Sequence, residues 1–350
     1  MTQDLQPAPT GTTPAPAPAV APTDATALRT DTAPPVDAAA PVNAAAAQNF
    51  AVSSTADEPV PATVDETTPR PLPDTSARTL VMAIVNRTPD SFYDQGRTWQ
   101  LDAAIEAGIR AAENGADIID VGGVKFAPGP AIPADEESRR VIPVIAALRE
   151  RAPHVLLSVD TFHASVAREA IAAGADIVND TTGLSDPLMA STVAGTGASI
   201  VITHSLALPR HDFPRPQYAD VVEEVREFLA ARIEQAIEAG VPRERIILDP
   251  GPDLNKNTLH TLAVLRELSE LRSLGFPILA ALSRKDFVGE SLGLAKEDRL
   301  EASLAAAAWA MRHGVRILRV HDVVETVRMV RMLEVLAGWR EPTGPLVHNM

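Results

Sequence analysis

Residues 155–180 read VLLSVDTFHASVAREAIAAGADIVND. The apolar run at 155–160 ends in Asp160-Thr161. Residues 163–173 are rich in helix-favouring alanine, and Gly174 stands where a C-terminal glycine cap would close that helix. A second apolar run follows at 175–179 and closes on Asn179-Asp180. A strand, a polar turn, a helix, a glycine and another strand make one turn of a parallel βα repeat.

The same unit recurs on both sides of this stretch. Further strands are predicted at 79–85, 117–122, 198–203, 245–249, 277–282 and 315–320. Helix-like segments lie at 101–114, 135–151, 187–196, 218–239, 257–273, 298–313 and 322–337, and Gly115, Gly197, Gly240, Gly275 and Gly314 punctuate their ends. Eight strand–helix pairs in about 260 residues predict an α/β fold of the (β/α)₈ TIM-barrel type. A doubly wound open sheet is the structural alternative.

Ahead of the first strand the composition changes. Residues 1–75 hold fourteen of the 30 prolines, eighteen alanines, nine acids and two arginines. So few large apolar side chains cannot offset the entropy of ordering such a segment. The expected organisation is a disordered Ala/Pro/Thr-rich tail over 1–76, a barrel over 77–340 and a short C-terminal tail over 341–350. The 350 residues include no cysteine, which excludes disulfide scaffolds, thiolate catalysis and Cys-ligated metal. A net charge of −15 argues against a general nucleic-acid binder. No apolar run reaches the length of a membrane span, and no basic region with an apolar core opens the chain. A cytoplasmic protein that binds neither nucleic acid nor membrane is expected.

In a barrel, polar residues at strand C-termini face the active site. Here the strand ends carry Asn86, Gly122-Gly123, Asp160, Asn179, His204, Asp249, Ser283-Arg284-Lys285 and Arg319-Val320-His321-Asp322. Each has a bland reading alone: Asp160 as a helix cap, Asn179 and Asp180 as turn residues, Arg319 paired with Asp322, His204 as a satisfied histidine of the barrel mouth. Together, Asp160, Asn179 and Asp249 offer acceptors and a donor for an amino-substituted heterocycle. Lys285, Arg319 and His321 offer cationic groups for an anion.

These motifs, with Thr88-Pro89-Asp90-Ser91-Phe92, Asp120, Ser158 and Asp249-Pro250-Gly251, resemble the dihydropteroate synthase family in order along nearly the whole body. The resemblance implies a transferase of folate biosynthesis. Such an enzyme joins 6-hydroxymethyl-7,8-dihydropterin diphosphate to p-aminobenzoate and releases diphosphate. It implies that Asp160, Asn179 and Asp249 bind the pterin edge and that Lys285 reaches its carbonyl or a ring nitrogen. Asn86 would hold Mg²⁺ with the diphosphate, Arg319 and His321 would bind the diphosphate, and Ser283 would meet the acceptor carboxylate. It also implies a homodimer. A methyltetrahydrofolate-dependent methyltransferase is disfavoured, because a methyl carrier has no diphosphate for Arg319 and His321 to bind.

The sequence departs from that family on one side only. The family's second loop reads Gly-Gly-Glu-Ser-Thr-Arg-Pro-Gly, whereas residues 122–129 read GGVKFAPG. Ala127 therefore removes a guanidinium from the diphosphate side. Arg87 or Lys125 is expected to restore charge there. Leu254 stands for an aromatic of the acceptor pocket, and Asp286 for a serine, where a carboxylate would repel an acceptor carboxylate. The loops resemble those of a divergent actinobacterial group of the family. A pterin-binding homologue with weak or no synthase activity, or with a different acceptor, is the alternative.

Overall fold

The computed structural model describes residues 68–88, 99–211 and 215–348. The chain divides into a unit of residues 1–60 and a unit of residues 61–350 that holds the barrel. The predicted tail up to residue 67 and the motif residues Pro89, Asp90, Ser91 and Phe92 lie outside the described residues.

Eight parallel strands close in chain order: β1 Leu80–Asn86, β2 Ile118–Gly122, β3 Leu156–Asp160, β4 Ile177–Asp180, β5 Ser199–Thr203, β6 Ile246–Asp249, β7 Ile278–Ala281 and β8 Val315–Val320. β8 pairs back onto β1, with Leu80 opposite Ile317 and Ala83 opposite Val320. That closure removes both sheet edges and excludes the open-sheet alternative. The outer helices are α1 Leu101–Glu113, α2 Ala134–Arg151, α3 Ala164–Ala172, α4 Met189–Val193, α5 Val221–Glu238, α6 Thr258–Arg266, α7 Leu268–Arg272, α8 Asp286–Leu292, α9 Leu300–Arg312 and α10 Val323–Leu336. The six glycines expected to end helices all have positive φ.

Two elements differ from the expectation. The helix predicted over 257–273 is interrupted at Glu267, whose φ of −109° and ψ of 31° leave the helical region, giving α6 and α7. α8 is an additional short helix between β7 and α9. Its seven residues are too few to show a helical period in sequence, and it stops at Gly293 in the left-handed region.

Alternation along the strands sorts the interior into layers. Leu80, Met82, Ile118, Leu156, Ile177, Val201, Ile247, Leu279 and Ile317 point inward and fill the lower barrel. Their neighbours Val81, Ile119, Leu157, Val178, Ile200, Ile246 and Leu318 pack against the helices. Burying one such side chain is worth roughly 1.5–3 kcal/mol, so this layer fixes the strand register. Two residues further along β2, β3, β4, β6 and β8, the inward positions become Asp120, Ser158, Asn179, Asp249 and Arg319.

The approach to β1 is also attached. The Arg70 backbone N–H donates to Asp176 Oδ1 at 2.9 Å, its Nη2 to Asp176 Oδ2 at 2.9 Å, and its guanidinium also reaches the Pro153 and Val155 carbonyls. Leu72 then packs under the inner apolar layer. No helix among the described residues is long and apolar enough to cross a membrane.

Candidate active site at the barrel mouth

The polar layer is organised around Asp120, which is fully buried. It accepts from Ser158 Oγ at 2.6 Å, Asn179 Nδ2 at 3.1 Å and Arg319 Nε at 2.7 Å. Arg319 Nη2 donates to Asp160 Oδ2 at 2.7 Å. One guanidinium thus bridges two carboxylates on β2 and β3, and this sets the floor of the site. Asn179 is oriented by its amide donation to Asp120, which leaves its Oδ1 buried with no hydrogen-bond partner.

Above this floor opens a cavity of about 470 Å³. Asn86, Asp160, Asn179, Asp249, Ser283, Lys285, Arg319 and His321, the eight residues singled out from the sequence, all line it. The strands place them there. Each is the last inward residue of its strand or lies within a few residues beyond it. Lys125, Phe126, Ala127 and Pro128 form a further stretch of its wall, and Leu254 and Asp286 also line it. Gly122 keeps the floor open, because a Cβ there would stand 3.2 Å from Asn86 Oδ1.

Electrostatics follow from burial. Asp160 is pushed up to about 7 by desolvation, against the pull of Arg319 and with help from Asp120, Asp180 and Asp249. Asp249 is raised by burial, with Lys285 opposing. Burial lowers Lys285, with Asp253 and Asp249 opposing, and its ammonium donates to the Pro252 carbonyl. His321 is pushed down to about 3 by burial and then by Arg319. It is therefore a neutral imidazole, where sequence reading counted it among the cations. Its Nδ1 lies 3.3 Å from Ser283 Oγ.

The structure also resolves the bland readings. Asp160 caps no helix: the N-cap of α3 is His163, which makes no side-chain cap, and the Ala164 N–H donates to Asp186. Asp180 is a turn residue, accepting from the Thr182 and Leu184 backbone N–H groups at 2.8 Å each. Arg319 does not pair with Asp322, which is held by Arg284 through Nε at 2.8 Å and Nη2 at 2.9 Å. His204 sits 2.7 Å from Lys256 Nζ and is pushed down to about 3 by burial and that lysine, as a satisfied mouth histidine would be. Lys256, lowered by burial to about 7, also donates to the Gly251 and Leu254 carbonyls and so fixes the turn after Asp249.

Of the two residues expected to restore charge, only Lys125 lines the cavity. Arg87 turns away. It donates to the Trp99, Arg139 and Arg140 carbonyls at 3.2, 3.1 and 2.8 Å, and the Arg139 carbonyl lies four residues before Pro143, which has no N–H to offer it. Asp286 is largely exposed and meets Arg299 Nη1 at 3.0 Å, which offsets part of its charge. Sequence reading missed the central place of Asp120. The signal was present: an acid at an inward position of the run 118–122, IIDVG. Glu137 on α2 was missed too. It is fully buried beneath Gly123, and desolvation, with Asp160 adding to it, raises it to about 8, while Thr161 and Arg140 oppose.

Comparison with known proteins adds four findings. A family model described as "Pterin binding enzyme" matches residues 82–321. The chain is 48% identical over 271 residues to "Inactive dihydropteroate synthase 2" of Mycobacterium leprae, covering 76% of this chain and 93% of that one. It is 38% identical over 262 residues to "Dihydropteroate synthase" of Escherichia coli, covering 75% and 93%. Among solved structures, the dihydropteroate synthase of Xanthomonas albilineans with 4-aminobenzoic acid superposes with a TM-score of 0.69 at 42% identity, covering 74% of this chain and 93% of that one.

Proposed function

Because the chain belongs to the pterin binding enzyme family, we propose that its cleft holds 6-hydroxymethyl-7,8-dihydropterin diphosphate and that the protein is a dihydropteroate synthase-type transferase. The pterin would be joined to p-aminobenzoate, with release of diphosphate, as a step of folate biosynthesis. The observation that carries this reading is the buried acceptor of Asn179 beside Asp160 and Asp249. A buried polar atom without a partner is costly, and a heterocycle edge rich in N–H groups would satisfy it.

Asp160 and Asp249 then accept from the 2-amino and ring N–H groups, and Asn179 serves both ways. Lys285 donates to the pterin carbonyl or a ring nitrogen. Arg319 is fixed by Asp120 and Asp160 through Nε and Nη2, and its Nη1 is the nitrogen proposed to reach the diphosphate. His321 joins it by donating one ring N–H rather than a full charge. The methylene–oxygen bond breaks, and the electron pair leaves with diphosphate. The amine nitrogen then forms the new bond to carbon and loses its proton to solvent. No enzyme nucleophile is required, so catalysis is positioning and electrostatics.

Magnesium fits this site in one way. Asn86 supplies a single amide oxygen at the cavity wall, and among the described residues no group of three His, Cys, Asp or Glu could hold a metal. Magnesium keeps waters and phosphate oxygens as most of its ligands, so it would arrive with the diphosphate and offset its charge. The homodimer expected from the resemblance and the cytoplasmic setting expected from the sequence belong to this same proposal.

A second reading has a specific observation behind it. The wall that would cover the diphosphate carries Ala127, and the Mycobacterium leprae relative is named inactive. Binding of the pterin without standard transfer, or transfer to a different amine, accounts for an intact floor under an altered wall. Diphosphate release by the full chain, with the pterin substrate, magnesium and p-aminobenzoate, separates the two. Acceptor-dependent release that falls at least about a hundredfold in Lys285→Ala supports the synthase. Tight pterin binding with no release supports the second reading.

A further inference from the structure

The wall formed by residues 125–128 is held from across the barrel. The loop after β2 meets the loop after β5, three strands away, at Arg210. Pro128 forms an isolated parallel bridge with Arg210. The Gly129 N–H donates to the Arg210 carbonyl at 3.3 Å, and Arg210 Nε donates to the Pro130 carbonyl at 3.0 Å. At its root the same loop is gripped by α2, where Arg140 Nη1 donates to the Gly123 carbonyl at 2.9 Å. The span between these two anchors contains Lys125, Phe126 and Ala127, which line the cavity.

The second anchor has a specific shape. Arg210 has φ +67° and Gly129 φ +154°. An arginine in the left-handed region is strained and persists only where its surroundings hold it. A Cβ on Gly129 would stand 2.1 Å from Arg210 Nη2, so the guanidinium occupies the space that a side chain at this position would need. Neither residue lines the cavity. Their effect on the cavity passes through the span they fix.

We propose that Arg210 is a positioning residue that latches the β2 loop as a roof over the cleft, and that the occupant leaves by opening of that latch. The identity of the occupant rests on the pterin reading above; the latch does not. A gate of this kind changes the rates of entry and exit together, and changes equilibrium affinity much less.

Hydrogen exchange and ligand kinetics on the full chain test this. Arg210→Gly removes the guanidinium while easing the strained backbone, and Gly129→Ala pushes the guanidinium away from the other side. The expected result in both is about tenfold faster amide exchange across residues 124–131, with β2 unchanged as an internal sign of an intact barrel. Dissociation of 6-hydroxymethyl-7,8-dihydropterin diphosphate, followed by stopped flow with magnesium, should quicken about tenfold while Kd moves less than threefold. Unchanged exchange in both variants overturns the latch. Faster exchange with an unchanged dissociation rate overturns its role in release. If the unaltered chain binds no pterin diphosphate, the functional reading falls, and the exchange rates still decide the latch.

Discussion

Asp120 receives three donors and faces no solvent. Replacing it by alanine strips one of two carboxylates from a buried guanidinium, which is expected to cost about 3–5 kcal/mol. Chemical denaturation of Asp120→Ala against the unaltered chain measures it. Asp160 sets a pH dependence. Its folded value near 7 means that it loses an acceptor site as pH falls below neutrality. Pterin affinity should therefore weaken by roughly tenfold per unit below pH 7, read by titration between pH 5.5 and 8. Glu137 acts on stability instead. Its folded value near 8 lies above the ordinary 4.5, so the folded chain keeps a proton that the unfolded chain releases. Stability is fully present below about pH 4.5 and declines as pH rises to about 8, at up to roughly 1.4 kcal/mol per unit. Glu137→Gln should abolish that decline, so its advantage over the unaltered chain widens between pH 5 and 8.5 in urea denaturation.

The strands were legible in the sequence because each is a short apolar run closed by a polar residue or a glycine, as in 155–160 and 175–179. Their polar ends also announced the floor of the cleft, since the period of two fixes which side chain turns inward. The loops were not legible, because their contacts are non-local. Nothing near Arg87 in sequence says that its guanidinium will be taken by carbonyls of α2, and nothing near Arg210 says that it will meet Pro128. The neutrality of His321 arises from its surroundings in space, not from its neighbours in the chain. The altered wall yields a prediction of its own. Ala127→Arg places a cation on the cavity side of the β2 loop, and diphosphate should then bind roughly tenfold or more tightly. Unchanged affinity in calorimetry would count against a vacant anion position there.

At the scale of the molecule, composition alone puts the boundary of the folded body near residue 77, yet Arg70 and Leu72 already contact the barrel. Asp176 is 1% exposed and is held low by hydrogen bonds from Arg70 and Leu157 and by the charge of Arg149, against the rise that burial would cause. Its contribution is present above the ordinary carboxylate range and is lost on acidification. A chain beginning at Ala77 should be less stable by about 2–4 kcal/mol than one beginning at Thr68, as a lower Tm at neutral pH would show.

The contrast between the floor and the roof of the cleft bears on inhibitor selectivity. A compound that fills only the space bounded by Asp160, Asn179, Asp249 and Lys285 meets residue types that match the family's pterin motif. It should inhibit this protein and its standard relatives alike. A compound that mimics the acceptor must pass Phe126, Ala127, Leu254 and Asp286. There the surface departs from the standard family pattern, and a drug built for the standard enzyme should lose its grip.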